Sequence, residues 1–302
     1  MCCFSQAVLE VSGTQIFARP SQGTAQILVY SMSLQSEQEV SMILPLPVPP
    51  GCPENAVRFI NLEAYPEYFT DMDALFPAPM TLGVGPSLGE ARAPLAVHDV
   101  GQFEASFIPS IPDFSRLDPR FRLPAHVWRD LPQYKDWGFA VFKLKKSALL
   151  PPPKRAAQSF HRQLFGQALV PPTLDSPETP AEHRVHPMAF EFPRRNPSQL
   201  FFPTVHIHDQ QVHPTAHFDH QLYFQLDRMM RGMNFPGTDS RDILQRWASL
   251  DLYLGDRLRV GKRPIKQYMD IRRAAGTLHL LSPLYHWELS GELPNQDSIL
   301  EI

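Results

Sequence analysis

Five of the chain's 12 histidines lie close together, in the segment FFPTVHIHDQQVHPTAHFDHQLYFQ. If the chain turns at residues 209–211, this segment forms a β-hairpin whose side chains alternate between two faces. One face then carries four imidazoles and one carboxylate, those of His206, His208, His213, His217 and Asp219. Imidazole and carboxylate groups are the ligands that Zn, Fe, Cu and Mn take in proteins. The sequence therefore predicts a mononuclear transition-metal site on a histidine-rich β-hairpin.

His220 falls on the opposite, apolar face of the same predicted hairpin, in line with Phe218 and Leu222. We expect it to be a core residue whose imidazole is hydrogen-bonded to a backbone carbonyl. A simpler interpretation of the polar face is a solvated edge hairpin on which histidine and aspartate serve only for polarity. Surface strands usually carry lysine, glutamate, threonine and serine, whereas this face has no lysine. Both interpretations stay open.

The N-terminus, which reads MCCFSQ, offers a second kind of chemistry. Removal of the initiator methionine leaves Cys2 with a free α-amine, whose ordinary pKa of about 7.7–8.0 suits it as a general base for the thiol. Two predicted strands, with a turn at Ser12-Gly13 between them, lead to Arg19. This order resembles N-terminal-nucleophile hydrolases of the choloylglycine and penicillin V acylase type, which implies that Cys2 and Arg19 are catalytic. The Arg-Asn-x-Asp run of that family reads RPSQ here and lacks the aspartate.

Two further resemblances concern the histidine segment and the whole chain. A His-x-His pair with a third histidine on the neighbouring strand resembles the metal sites of cupins, without the glycines and the glutamate of the cupin motif. The motifs QIFA, LPLPVP and WGFAV, in that order, resemble an uncharacterised bacterial family known only as a domain of unknown function, whose mature chains begin with a cysteine-rich motif. That resemblance implies a fold class and no activity.

Proline content and short apolar runs predict the fold. The chain has 32 prolines, which interrupt helices and favour short strands and long loops. We predict an α+β fold, predominantly antiparallel β-sheet, with a few short helices and long proline-rich loops. Residues 1–148 and 184–302 would be β-rich halves of one domain. Residues 149–183 would be a proline-rich insertion or linker, with an ordered lid over a site as the alternative.

Local patterns place individual elements along the chain. The apolar run VSMILPLPV at residues 40–48 predicts a buried strand that ends in a turn, and WGFAVFKL at residues 137–144 predicts another. Apolar residues at helical spacing predict a short helix within residues 65–76 and another within residues 241–250, the latter capped by Asp239.

Composition excludes several classes of partner. The net charge is −3 and no basic stripe is present, so nucleic acid is not an expected partner. No apolar run approaches the ~20 residues that span a bilayer. The chain has three cysteines and begins without a signal-peptide pattern, which predicts a reducing, cytoplasmic location.

Three functions fit these observations. The first is a metal-dependent enzyme, hydrolase or oxidoreductase, that acts on a small-molecule or peptide substrate at the histidine hairpin. The second is an N-terminal-cysteine amidohydrolase, which needs no metal. The third is a non-catalytic binding module that presents the proline-rich segment to a partner.

Overall fold

The computed structural model describes residues 2–36, 39–76, 103–144, 183–184, 186–226, 258–261 and 264–302. Within these residues, strands predominate and the two α-helices are short. The helices are α1 (Tyr68–Asp73) and α2 (Ala125–Asp130). The strands are β1 (Cys2–Phe4), β2 (Glu10–Pro20), β3 (Ala25–Gln35), β4 (Ser41–Leu46), β5 (Arg58–Asn61), β6 (Phe103–Ile108), β7 (Gly138–Leu144), β8 (His183–Arg184), β9 (Met188–Pro193), β10 (Gln199–Phe202), β11 (His206–Ile207), β12 (Thr215–Phe224), β13 (Leu258–Val260), β14 (Tyr285–Pro294) and β15 (Ser298–Glu301).

The strands form three sheets. A five-stranded sheet has the order β11-β1-β4-β7-β6, and an eight-stranded sheet has the order β13-β14-β12-β2-β3-β9-β5, with β8 also paired to β3. The third sheet is the pair β10-β15. Among the described strands, only the pairs β1–β11 and β12–β2 are parallel. The predicted α+β fold with mostly antiparallel sheet is therefore confirmed.

Large aromatic side chains fill the space between the two larger sheets. The Phe142 ring on β7 lies 5.7 Å from the Phe190 ring on β9, measured between centroids, and Phe59 on β5 contacts both rings. One continuous apolar core includes residues from both sheets. Because burial of apolar surface is the main stabilising term in folding, the packing between the two sheets stabilises both of them.

The other face of the eight-stranded sheet is covered by α1 and by residues 264–284. Tyr68 of α1 packs edge-on against Phe17 of β2, and Phe69 contacts Tyr223 of β12. These residues belong to a second apolar cluster on that face. The eight-stranded sheet is thus covered on both sides where α1 and residues 264–284 pack, which explains why the last three residues of β12, Leu222 to Phe224, are all buried.

Several predicted elements match the structure. The buried strand predicted at residues 40–48 contains β4, all of whose residues are buried. Strand β7 and helix α1 lie within the segments predicted for them. The helix predicted at residues 241–250 and the segment 149–182 lie outside the described residues.

One prediction near the N-terminus is wrong. The expected turn at Ser12-Gly13 is a β-bulge inside the continuous strand β2, because the register between β2 and β3 shifts between Ser12 and Gln15. Gly13 has a positive φ of 59°, a conformation that glycine adopts without steric cost. The same φ serves a turn or a bulge, so the glycine pattern did not distinguish them. No helix among the described residues is long and apolar enough to cross a membrane.

Candidate functional site

The two histidine-bearing strands do not form the predicted hairpin. Strand β11 pairs in parallel with β1 in the five-stranded sheet. Strand β12 pairs with β14 and β2 in the eight-stranded sheet. Residues 208–214 therefore cross from one sheet to the other. Apolar and polar side chains alternate along a strand in the same way whether its partner is paired with it in one sheet or faces it across a sandwich. The alternation alone therefore gave the wrong pairing.

Three histidines meet where the two sheets face each other. His206 Nε2 lies 3.1 Å from His220 Nε2, and the two rings are stacked with centroids 4.8 Å apart. The His208 ring is also stacked with the His206 ring, with centroids 5.0 Å apart. We call His206, His208 and His220 the histidine cluster. The prediction that His220 is buried holds, but its partner is another imidazole and not a backbone carbonyl.

Burial keeps the histidine cluster uncharged. Burial, aided by the neighbouring His220, lowers the pKa of His206 to about 2. Burial also lowers the pKa of His208 to about 4, and that of His220 to about 4 against the opposing effect of Asp219. All three imidazoles are therefore neutral at pH 7, which is the form that carries free nitrogen lone pairs.

Two nitrogens of the cluster are buried without a hydrogen-bond partner among the described residues. They are His208 Nε2 and His220 Nδ1. Asp219 Oδ1 lies 3.5 Å from His220 Nδ1, which is too long for a good hydrogen bond. An unsatisfied buried polar atom costs about 1–3 kcal/mol, so each one in a native protein calls for an explanation.

Asn295, at the end of β14, holds the segment that carries His206 and His208. Its side-chain carbonyl accepts the His206 amide N–H at 2.7 Å, and its amide donates to the carbonyls of His206 and His213 at 2.9 and 3.0 Å. Gln210, at a positive φ of 65°, donates its side-chain amide to the Ser5 carbonyl at 2.9 Å. These bonds fix the crossing segment against β1 and β14, and so place both imidazoles.

Asp219 lies on the face of β12 opposite to His220 and joins two strands. Its Oδ2 accepts the Gly13 amide N–H of the β2 bulge at 2.6 Å. Burial raises the pKa of Asp219, but its interactions with His220 and the Gly13 amide outweigh burial and hold that pKa below its ordinary value. Asp219 is thus an ionised carboxylate next to the cluster.

The other two predicted ligands lie outside the cluster. His213 Nε2 pairs with Asp209 at 2.8 Å, and its side chain is 53% exposed. His217 faces Glu292 of β14 at 3.4 Å, and its side chain is 74% exposed. These two imidazoles line the same cavity as His206 and His208, but the described residues do not bring them together with those two in a metal-binding group, so the predicted ligand set stays a prediction.

The N-terminal residues reach the same neighbourhood through the backbone. Cys2 stands opposite His206 in the β1–β11 register, and Cys3 stands opposite Ile207 and is fully buried. Arg19 lies on β2 in the other large sheet, where it donates to the carbonyls of Gly276 and Thr277 at 2.8 and 2.5 Å. Nothing described here gathers Cys2 and Arg19 around a common substrate, and the amidohydrolase hypothesis stays a prediction.

A cavity of about 560 Å³ opens beside the cluster. It lies where β2 and β12 separate, since these strands are paired only from Gln15 and Gln221 onward. Its walls include His206, His208 and residues of both strands. Among the described residues, its charged lining consists of the carboxylates Glu10, Asp209 and Asp219, with no lysine or arginine. Nowhere in the described part of the chain do three histidine, cysteine, aspartate or glutamate side chains already stand in metal-binding geometry.

Sequence reasoning missed two residues of this site, His220 as a cluster member and Asn295 as its clamp. Burial of histidine on an apolar strand face was the available signal for His220. Asn295 is 89 residues from its partner His206 and had no local signal.

No protein-family model matches the chain. No curated protein matches it. Among solved structures, the chain is similar to the crystal structure of baculovirus P35, at 13% identity and a TM-score of 0.44 over 97% of this chain and 96% of that one. It is also similar to a mutated baculovirus P35 after caspase cleavage, at 12% identity and a TM-score of 0.41 over 96% and 99%. A caspase-8/P35 complex matches at 11% identity and a TM-score of 0.40 over 96% of each chain. Likenesses this distant carry no argument about function.

Proposed function

We propose that this protein binds one transition metal ion, Zn, Fe, Cu or Mn, through the histidine cluster. The ligands are the Nε2 atoms of His206 and His220, joined by His208 after its side chain turns toward them. This set replaces the predicted one, in which exposed His213 and His217 were ligands. The observation that carries the proposal is the pair of facing Nε2 atoms in a cluster of one buried and two half-buried imidazoles that also contains two buried, unpartnered nitrogens.

The distance between the facing nitrogens supports a shared ion. Zinc–imidazole bonds of about 2.0–2.1 Å place two nitrogens of a tetrahedral site about 3.3–3.4 Å apart, and an octahedral site places them about 2.9 Å apart. The His206 and His220 Nε2 atoms lie 3.1 Å apart, between these values. A neutral N–H···N hydrogen bond has the same length, but it satisfies only one nitrogen of each ring and leaves His208 Nε2 unexplained.

The cavity supports an open coordination position. His206 and His208 belong to the cluster and also line the cavity. An ion held by them therefore faces a space large enough for a small molecule or a short peptide segment. Such an ion can activate water for hydrolysis or bind O₂ for oxidation, and the ligand set allows either. The carboxylate lining disfavours anionic substrates. Cys52 is a free thiol, which fits the reducing cytoplasm proposed as the location.

Elemental analysis of protein purified without a histidine tag tests the proposal. We expect one equivalent of metal in the wild type after incubation with Zn and gel filtration. His206→Ala and His220→Ala should each lower the metal content to less than a tenth. His213→Ala and His217→Ala are matched controls on the same segment, and they should keep the full equivalent because their imidazoles are exposed and paired elsewhere.

Circular dichroism separates loss of metal from loss of fold. His206→Gln and His220→Gln preserve polarity, and variants that keep the wild-type spectrum but lose the metal support the proposal. A wild type that holds no metal, and whose melting temperature does not respond to added Zn, Fe, Cu or Mn, overturns it. Equal loss in the exposed-histidine controls also overturns it, since binding would then be a surface property.

A further inference from the structure

We propose that Asp219 positions His220 for the metal and couples occupancy of the metal site to closure of the gap between β2 and β12. This inference rests on the proposed function and adds to it a means of regulation. Asp219 is a positioning residue here, because it acts through His220 and through the β2 backbone. Its two carboxylate oxygens face two different groups.

The first group is the imidazole of His220. Asp219 Oδ1 lies 3.5 Å from His220 Nδ1, the nitrogen that has no hydrogen-bond partner. When Nε2 of a neutral imidazole binds a metal, the proton must sit on Nδ1, and it then needs an acceptor. Metal-bound histidines almost always donate this proton to a carboxylate, a carbonyl or water. Asp219 already places a carboxylate oxygen 3.5 Å from Nδ1, and a shift of a few tenths of an ångström completes the bond.

The second group is the backbone of β2. Asp219 Oδ2 accepts the Gly13 amide N–H at 2.6 Å. This bond crosses the gap between β2 and β12 at a level where the two strands are no longer paired, because their ladder begins at Gln15 and Gln221. Gly13 is also the bulge residue with positive φ, so its amide points out of the β2–β3 ladder toward Asp219. One carboxylate therefore ties the bulge to the metal ligand.

Metal binding should fix this carboxylate in place. A permanent Nδ1–H donor on one side restricts the side chain, and the restricted side chain holds the Gly13 amide more firmly on the other. The residues of β2 and β12 that border this gap line the cavity. The metal-bound protein therefore has a more closed and less mobile cavity wall than the metal-free protein.

Two measurements on the full chain test the inference. A chelator competition measures Zn affinity, and NMR hydrogen exchange measures protection of the Gly13 amide with and without Zn. In the wild type, Zn should slow exchange at Gly13 several-fold. In Asp219→Asn, Zn affinity should fall about 10–100-fold, and Zn should no longer change exchange at Gly13. If Asp219→Asn folds poorly, Asp219→Ser, which carries a smaller acceptor, takes its place and should show the same two effects.

Glu292→Gln is the matched control. Glu292 faces an imidazole on the same strand at nearly the same distance, His217 at 3.4 Å, but that imidazole is exposed and outside the cluster. Its substitution should leave Zn affinity and Gly13 exchange unchanged. A wild type that binds none of Zn, Fe, Cu and Mn refutes the proposed function. If Asp219→Asn binds Zn as tightly as the wild type, only the inference about Asp219 is refuted. The same holds if Zn does not change hydrogen exchange of the Gly13 amide in the wild type.

Discussion

Asp297 anchors the chain just before the first cluster histidine, and its removal should destabilise the protein strongly. Its Oδ1 accepts the backbone N–H groups of Thr204 and Val205 at 2.9 and 3.2 Å. Its Oδ2 accepts the Tyr134 hydroxyl at 2.6 Å. One carboxylate thus holds both the segment that leads into β11 and the Tyr134 side chain, which is buried in the apolar core. Asp297→Ala removes all three acceptor contacts at once.

The expected cost follows from the groups left behind. Two backbone N–H groups and one phenol lose their partner, and each unsatisfied buried group costs about 1–3 kcal/mol. Relief of the buried carboxylate offsets part of this loss, since burial raises the pKa of Asp297 and so disfavours its charged form. A net loss of about 2–4 kcal/mol is expected, which lowers the melting temperature by roughly 5–15 °C at about 2–4 °C per kcal/mol.

Thermal and urea unfolding, followed by circular dichroism, measure the effect. Tyr134→Phe removes only one of the three bonds and should cost about 0.5–1.5 kcal/mol. Asp297→Asn keeps the shape and the Oδ1 acceptor, so it should be less destabilising than Asp297→Ala. An Asp297→Ala protein within about 0.5 kcal/mol of the wild type, the range of an ordinary surface substitution, would show that water replaces the carboxylate and that the anchor is dispensable.

Two further predictions concern positions away from the site. Glu191 is bound by Ser21 and by Arg58 at 2.6 Å; burial raises its pKa, but these partners outweigh burial and hold it below the ordinary value. A carboxyl with a lowered folded-state pKa stabilises the protein at pH values above its unfolded pKa of about 4.3. Glu191→Gln should therefore lower the free energy of unfolding by a constant amount near pH 7, and this difference should disappear as the pH falls through the folded-state pKa. Urea unfolding at several pH values measures it. In Gly138→Ala, the new methyl group would lie 2.6 Å from the Phe107 ring, so we expect a loss of about 1–3 kcal/mol in the same assay; an unchanged midpoint would mean that the ring moves aside freely.

The elements that could be predicted from sequence are those set by local pattern. The run at residues 40–48 is apolar apart from Ser41, which is typical of a strand covered on both faces, and β4 is buried throughout. The alternation in residues 215–224 correctly placed Phe218, Leu222 and His220 on the buried face of β12. Each of these inferences needs only the period of a strand and the cost of exposing apolar surface.

The site depends on long-range partners that no local pattern reports. Strand β11 pairs with β1, about two hundred residues away in sequence, and the clamp on His206 comes from Asn295 near the other end of the chain. Imidazoles were expected to converge within one hairpin, whereas they converge across the sandwich from two sheets. The chemistry of the segment was visible in the sequence, and the pairing that selects three of its five histidines was not.

A last prediction asks whether the buried imidazoles serve the fold or a ligand. His208 Nε2 is buried without a partner and the ring packs against Phe4 with centroids 5.9 Å apart, so leucine at this position keeps an apolar contact and removes an unsatisfied atom. In metal-free protein with a chelator present, His208→Leu should therefore raise stability by about 1–2 kcal/mol, whereas most core substitutions lower it. Added Zn should reverse the order, because only the wild type gains stability from binding. If His208→Leu is less stable than the wild type without metal, the imidazole serves packing or a hydrogen bond of the fold, and the cost of burying it needs no ligand to explain it.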